Sequence, residues 1–170
     1  QAAGTITIQG GHIRAKGPDS TWDPAGIGGG GWGNAGTISI TGGYVYAEGC
    51  KKGIGGGYVN TEGSITISGG VVVANGIGTH NGDSKIFTTI TGGIVFSTGS
   101  INKDNENSWS GIIADDSNTA TIYPKDGTGY TLAANDSIPE GYTLQIESGK
   151  TLAVGEGNTF TNKGTISIEN

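Results

Sequence analysis

Four segments of the chain superimpose on a Gly-Gly pair: GTITIQGGHIRAKG (4–17), GTISITGGYVYAEG (36–49), GSITISGGVVVANG (63–76) and IFTTITGGIVFSTG (86–99). The pairs Gly10-Gly11, Gly42-Gly43, Gly69-Gly70 and Gly92-Gly93 are spaced by 32, 27 and 23 residues. A unit of this length cannot bury an apolar face alone and must stack on its neighbours. Inside each unit apolar and polar residues alternate with period two, which marks strands. Two adjacent glycines permit a sharp corner. Each unit then runs into a second motif: AGIGGGG (25–31), GIGGG (53–57), GIG (76–78) and GII (111–113). Three short strands per unit, stacked unit on unit, is the pattern of a parallel β-helix.

Stacking in register predicts inward columns Ile8/Ile40/Ile67/Ile90, Ile13/Val45/Val72/Val95 and Ile27/Ile54/Ile77/Ile112, with Ala15/Ala47/Ala74/Ser97 keeping the interior narrow. It also puts Lys16 beside Glu48. Thr88 falls where Ile6, Ile38 and Ile65 stand, and Phe87 falls outside, so a bulge is expected there. The tail (130–170) lacks a Gly-Gly corner but repeats apolar pairs, Leu144/Ile146, Leu152/Val154 and Ile166/Ile168, and reads as further rungs of the same solenoid. The expected fold is therefore all-β: one right-handed β-helix domain over 1–170. Its regions are the repeats (1–99), an irregular loop-rich rung (100–129) and terminal rungs (130–170). The handedness follows the rule for parallel crossovers. Six or seven rungs spaced ~4.8 Å apart would make a rod roughly 30 Å long.

Glycine supplies 35 of the 170 residues without a three-residue period, and Pro only four, which excludes collagen and argues against long helices. The nine Lys and Arg are scattered in a chain of net charge -6, so no basic stripe suits nucleic acid. No apolar stretch approaches the ~20 residues of a membrane span. Gln1 in place of Met, with no signal peptide visible, suggests a mature or excised piece. Cys50 lies beside Lys51 and Lys52, which would lower a thiol pKa. A small residue at a loop corner is the favoured reading.

Function on a rigid scaffold concentrates in its variable loops. These are PDSTWDPA (18–25), CKK (50–52) and SINKDNENSWS (100–110). They carry Trp22 and Trp109, and Trp32 lies just past the first glycine-rich corner. The interior columns look too narrow for indole, so all three tryptophans are expected outside. Flanked by Asp19, Asp23, Asn105 and Glu106, such rings would stack on sugars while the polar groups bond hydroxyls. The outward side of the second strand carries the columns His12/Tyr44/Val71/Ile94 and Arg14/Tyr46/Val73/Phe96. This apolar patch calls for a ligand or partner, or for cover by a terminal segment or a further domain. The candidate ligand-binding residues are Trp22, Asp19, Asp23, Trp32, Tyr44, Tyr46 and Trp109. Asp115, Asp116, Ser117 and Asn118 offer oxygens suited to Ca2+, but a turn is the favoured reading, and no cofactor is expected. His80 and Asp83 lack a nucleophile to complete a catalytic set. The outward Thr/Ser array of the first strands resembles ice-binding solenoids, yet Thr is also the common solvent-facing strand residue.

The "GTITI-x-GG … GIGGG" units at 4–57 and the "IPEGYTLQIESGKTLAV … TNKGTISI" tail at 138–168 resemble the glycine-rich β-helix modules of secreted or wall-anchored Gram-positive bacterial surface proteins. That resemblance implies a secreted or cell-surface location and a carbohydrate-binding or adhesin role. The expected partner is a polysaccharide or glycan, or a host or cell-wall protein, with no nucleic acid and no membrane span. The alternatives are a β-helix glycoside hydrolase or polysaccharide lyase fragment, which needs paired carboxylates, or a basic residue with calcium, facing one groove, and a structural spacer or protein-binding module.

Overall fold

The structure, a computed structural model, describes residues 4–58, 62–79, 85–103 and 106–170. His80, Asp83 and Asn105 lie outside the described residues. The first turn is β1 (Thr5–Ile8), β2 (His12–Lys16) and β3 (Ile27–Gly28); the second is β4 (Gly36–Ile40), β5 (Tyr44–Glu48) and β6 (Ile54–Gly55). The third is β7 (Glu62–Ile67), β8 (Val71–Ala74) and β9 (Ile77–Gly78). β10 (Lys85–Ile90) and β11 (Ile94–Ser97) make two sides of a fourth, whose third side is a single bridge from Ile101 to Ile77. β12 (Gly111–Asp115) then adds to the second side alone.

The stacking is parallel and in the expected register. Ile8, Ile40, Ile67 and Ile90 are successive partners, as are Ile13, Val45, Val72 and Val95. Lys16 pairs with Glu48. The corners show why glycine recurs. Gly43 sits at φ 89, a left-handed conformation, and a Cβ there would lie 2.7 Å from the Gly10 carbonyl carbon of the corner below. At Gly55 a Cβ would come within 1.8 Å of the Gly78 carbonyl oxygen. Neighbouring rungs touch backbone to backbone, which only glycine permits.

Three expectations change. The expected bulge is absent: Phe87 pairs with Ser64 and Thr88 with Ile65, so the register runs unbroken. Thr88 points inward and its hydroxyl has no partner, while Phe87 is exposed. Ile112 does not continue the Ile27/Ile54/Ile77 column. Ile101 takes that place, and Ile112 pairs with Ile94 on the second side. The tail does not continue the same stack. β12 turns antiparallel into β13 (Thr119–Tyr123), reversing the direction of travel.

A second, smaller stack follows: β13, β14 (Gly129–Leu132) and β15 (Asp136–Ile138), then β16 (Thr143–Ile146), β17 (Thr151–Val154) and β18 (Phe160–Asn162), ending with β19 (Thr165–Ile168). The sides again pair in parallel, β13-β16-β19, β14-β17 and β15-β18. About five turns result, fewer than the six or seven expected, because the fourth is closed only by the Ile101 bridge and β19 only begins another.

One eight-stranded sheet, ordered β19-β16-β13-β12-β11-β8-β5-β2, joins the stacks. Its inward side chains from β5, β8 and β11 belong to the core of the first stack, with Val45, Val72 and Val95 fully buried. Its opposite side chains, Val71, Val73, Ile94, Phe96, Ile112 and Ala114, belong to a second core with Ala120, Ile122, Leu132, Ile138 and Leu144. Of the readings left open for this face, cover by a terminal segment is met over β8, β11 and β12 by the tail. The Phe96 and Tyr142 rings lie 4.5 Å apart, and the Gly93 N–H donates to the Tyr130 hydroxyl at 2.9 Å.

Candidate functional site

Along the outward column of the shared sheet the residue types follow the cover. The buried strands β8 and β11 present Val71, Val73, Ile94 and Phe96, whereas β5 presents half-buried Tyr44 and Tyr46, and β2 exposed His12 and Arg14. The second stack covers β5 only in part, with Tyr44 and Tyr46 packed half-buried against its core, and leaves His12 and Arg14 of β2 exposed. The uncovered ledge and the flank of the second stack enclose a cleft of about 530 Å³, lined by His12, Arg14, Tyr44, Tyr46, Ser137, Pro139, Glu140 and Lys163. Its floor is ordered by stacking between rungs: His12 meets Tyr44 edge-on at 4.8 Å, and the Arg14 guanidinium lies 5.3 Å from the Tyr46 ring centre. Burial pushes the Tyr44 hydroxyl above its ordinary pKa, with Tyr46 adding to the effect, so it is a neutral donor at physiological pH.

A second surface lies at the glycine-rich corner of the first turn. Trp22 is 49% and Trp32 55% exposed, and their rings are 4.9 Å apart, tilted by 43°. The loop folds on itself through Asp23 N–H to the Ser20 carbonyl and Ala25 N–H to the Gly29 carbonyl. Gly31 has to be glycine because a Cβ there would meet the Trp22 Cβ at 2.3 Å. Pro18, Ser20, Pro24 and the Gly28–Gly31 backbone complete a groove of about 480 Å³ around the two indoles. It shares no lining residue with the tyrosine cleft.

The expected site residues are thus divided. Trp22 and Trp32 come together, with exposed Asp19 beside Pro18 and Ser20 of their groove. Tyr44 and Tyr46 belong to the separate cleft. Asp23 is not a solvent-facing acceptor. It is buried, adopts φ 47 to close the loop, and its carboxylate meets the Cys50 thiol. That contact raises the thiol's pKa above its ordinary value, more than Lys51 lowers it, so Cys50 is not an activated nucleophile.

Trp109 is a correction. It is 1% exposed and lies in the core of the first stack, its Nε1–H donating to the Thr88 carbonyl at 3.2 Å and its ring 5.7 Å from Tyr123. The interior is too narrow for indole where rungs continue above and below. At the end of the stack β10 is the last strand of its sheet among the described residues, bridged at Thr88 to Lys103, and Trp109 packs into the core there. Glu106, three residues before it, is ion-paired with Lys103 at 2.8 Å.

Asp115 and Asp116 also serve the fold. Asp115 accepts the Ile101 N–H at 2.6 Å and pairs with Lys103 at 2.8 Å, fixing the bridge that closes the fourth turn. Asp116, at φ 53, shapes the β12–β13 turn. Glu140, Lys163, Ser137 and Pro139 are site residues that the sequence pattern does not point to. They reach the cleft only because the chain reverses after β12, and no local pattern announces that.

No helix among the described residues is long and apolar enough to cross a membrane. A family model described as a beta helix repeat matches residues 6–31 and 38–58, the first two turns of the stack. No curated protein and no solved structure matches the chain. The match and the geometry together make the chain a parallel β-helix module.

Proposed function

We propose that this chain is an extracellular, noncatalytic glycan-binding module of a bacterial surface protein. The observation that carries the reading is the exposed Trp22–Trp32 pair. Two large aromatic side chains held half in water by a glycine-rich loop serve no core, and tilted indole faces present apolar area to the flat faces of pyranose rings. Exposed Asp19, between Pro18 and Ser20 in sequence, would supply a hydrogen-bond acceptor for hydroxyls. An open platform of this kind supports affinities on the order of 0.01–1 mM, about 4–7 kcal/mol. The hydrolase reading needs two opposed carboxylates. The tyrosine cleft is lined by the single carboxylate of Glu140, and the tryptophan groove by none.

The test is a glycan array followed by calorimetric titration of the hits with Trp22→Ala and Trp32→Ala. Binding that weakens at least tenfold in either variant, with the oligosaccharide recovered intact, supports the proposal. Binding that survives loss of both rings removes the platform as the site, and an array without hits favours the spacer reading.

A further inference from the structure

The chain has nine lysines and arginines, and most are engaged within the fold. Lys16 pairs with Glu48, Lys103 with Glu106 and Asp115, and Lys125 with Glu147. Lys52 donates to the Ser100 carbonyl and hydroxyl, and Lys150 to the carbonyls of Pro124 and Lys125. Lys51 stands alone on its exposed loop. Among the described residues, Arg14 and Lys163 also have no ion-pair or hydrogen-bond partner for their charge, and these two line one cleft, the tyrosine cleft. They come from different stacks, β2 and the segment between β18 and β19, so only the folded-back chain brings them to one place.

We propose that this cleft binds an acidic saccharide, recognising the carboxylate of a uronic acid residue through Arg14 and Lys163. Stacking on Tyr46 leaves the in-plane N–H donors of Arg14 available at the edge of the guanidinium, the geometry that takes a carboxylate bidentately. Tyr44 and Tyr46 offer ring surface, and Glu140 and Ser137 offer acceptors for sugar hydroxyls. Two cations against the one carboxylate of Glu140 leave the lining positive in a chain of net charge -6, and such a patch draws anions selectively. The cleft also continues. Ser137 and Lys163 line a neighbouring groove of about 320 Å³ with Asn135, Asp136, Thr159 and Thr161. An extended chain would thus pass from the charged cleft onto the hydroxyls of Ser137, Thr159 and Thr161, the Asn135 amide and the Asp136 carboxyl. The inference rests on the glycan reading for the sugar but not on the tryptophan platform, with which the cleft shares no residue.

The experiment titrates the whole chain with tetrasaccharides of oligogalacturonate, oligomannuronate and hyaluronan, and with their methyl esters, which keep the sugar and remove the charge. The expected result is binding of at least one acid form, at least tenfold weaker for its ester, weakened at least tenfold by Arg14→Gln or Lys163→Gln. Glu140→Gln should strengthen it severalfold, a gain that a merely structural role would not produce. Lys51→Gln, an exposed cation that lines neither surface, should leave it unchanged, which ties the charge dependence to this cleft. Failure of all three acids to bind overturns the proposal. So does equal binding of acid and ester, or acid binding indifferent to Arg14 and Lys163. The ester comparison uses the unaltered chain, so its outcome does not depend on a variant's folding.

Discussion

In the first stack the corner between the first two sides of each turn is a Gly-Gly pair, and from the second turn on it presses against the corner below, so that a Cβ at Gly43, Gly70 or Gly93 would lie 2.5–2.7 Å from backbone atoms of the preceding rung. In the second stack Gly141, Gly149 and Gly157 have the same left-handed φ, yet a Cβ at any of them meets nothing within 4 Å. The interiors differ in parallel. Ile38, Ile40, Ile54, Ile65 and Ile67 of the first stack are fully buried by their own rungs. The second buries Leu132, Ile138 and Leu144 with help from Val71, Val73, Ile94 and Phe96 of the first, and its last strand leaves Ile166 and Ile168 exposed. The first stack is closed by repetition. The second is held by a borrowed wall, and the ledge where that wall outruns its cover is the tyrosine cleft.

The largest effect should come from removing the wall. Phe96 is fully buried between the stacks and against Tyr142. Phe96→Ala is expected to cost about 3–5 kcal/mol in urea denaturation. Hydrogen exchange should show lost protection concentrated in β14–β19, with β1–β9 spared. Uniform loss across both stacks would mean that they fold as one cooperative unit and that the contrast is mistaken. Tyr46→Ala, on the uncovered ledge, should cost far less.

The corner contrast is tested next. Gly43→Ala combines a left-handed backbone with a clash against Gly10 and should cost about 2–4 kcal/mol. Gly141→Ala carries the backbone strain alone, about 1–2 kcal/mol. Equal melting-temperature shifts for the two would show that rung-to-rung contact does not set the glycine requirement.

The parts of the fold visible in the sequence are those governed by the repeat itself. Ile8/Ile40/Ile67/Ile90 and Lys16 beside Glu48 follow from period-two alternation counted from the Gly-Gly pair, and stacking in register is then forced. The reversal is hidden because Gly111-Ile112-Ile113 imitates the Gly-Ile-Gly corner, while Ile101, in a segment without that motif, occupies the column. The burial of Trp109 is hidden for the same reason. A repeat reports its own interior but not how the stack ends. Of the candidate sites, the Trp22–Trp32 pair and the two tyrosines are legible as aromatics outside the inward columns. Their division into two surfaces is not, since it depends on where the tail folds.

Thr88 supplies the next test. It is the polar member of the Ile6/Ile38/Ile65 column, and its buried hydroxyl has no partner. Thr88→Val keeps the shape and removes the unpaired group, so it should stabilise the first stack by about 1–2 kcal/mol, read as a raised midpoint in urea. A loss would indicate that the hydroxyl is hydrogen-bonded in solution.

The second stack buries a carboxyl of its own, Asp136. Burial holds the Asp136 carboxyl above the usual carboxylate range. A carboxyl whose folded pKa is raised binds its proton more tightly when folded. Its contribution is fully present below the unfolded value of about 3.9 and is lost as pH rises through the folded value. Asp136→Asn should therefore be more stable than the parent at pH 7, with the difference shrinking on acidification. A difference constant from pH 3 to pH 8 would place its origin in packing rather than charge.

The smallest expected effect lies at the far edge of the shared sheet, beyond any cover from the second stack. Lys16 and Glu48 are cross-rung partners with Nζ 3.6 Å from Oε1, their side chains 58% and 38% exposed. One turn further on, Glu48's neighbour Gly49 is instead clasped by Asn75, whose side-chain amide donates to its carbonyl at 2.7 Å and accepts its N–H at 3.1 Å. The ion pair faces water on all outer sides, so attraction is weak and two flexible side chains must be ordered to form it. A double-mutant cycle with Lys16→Ala and Glu48→Ala should give a coupling of about 0.2–1 kcal/mol, falling toward zero at 1 M salt as screening shortens to ~3 Å. A coupling well above 1 kcal/mol, or one that salt does not reduce, would mean that this edge is covered in solution. The uncovered ledge, and the cleft built on it, would then have to be redrawn.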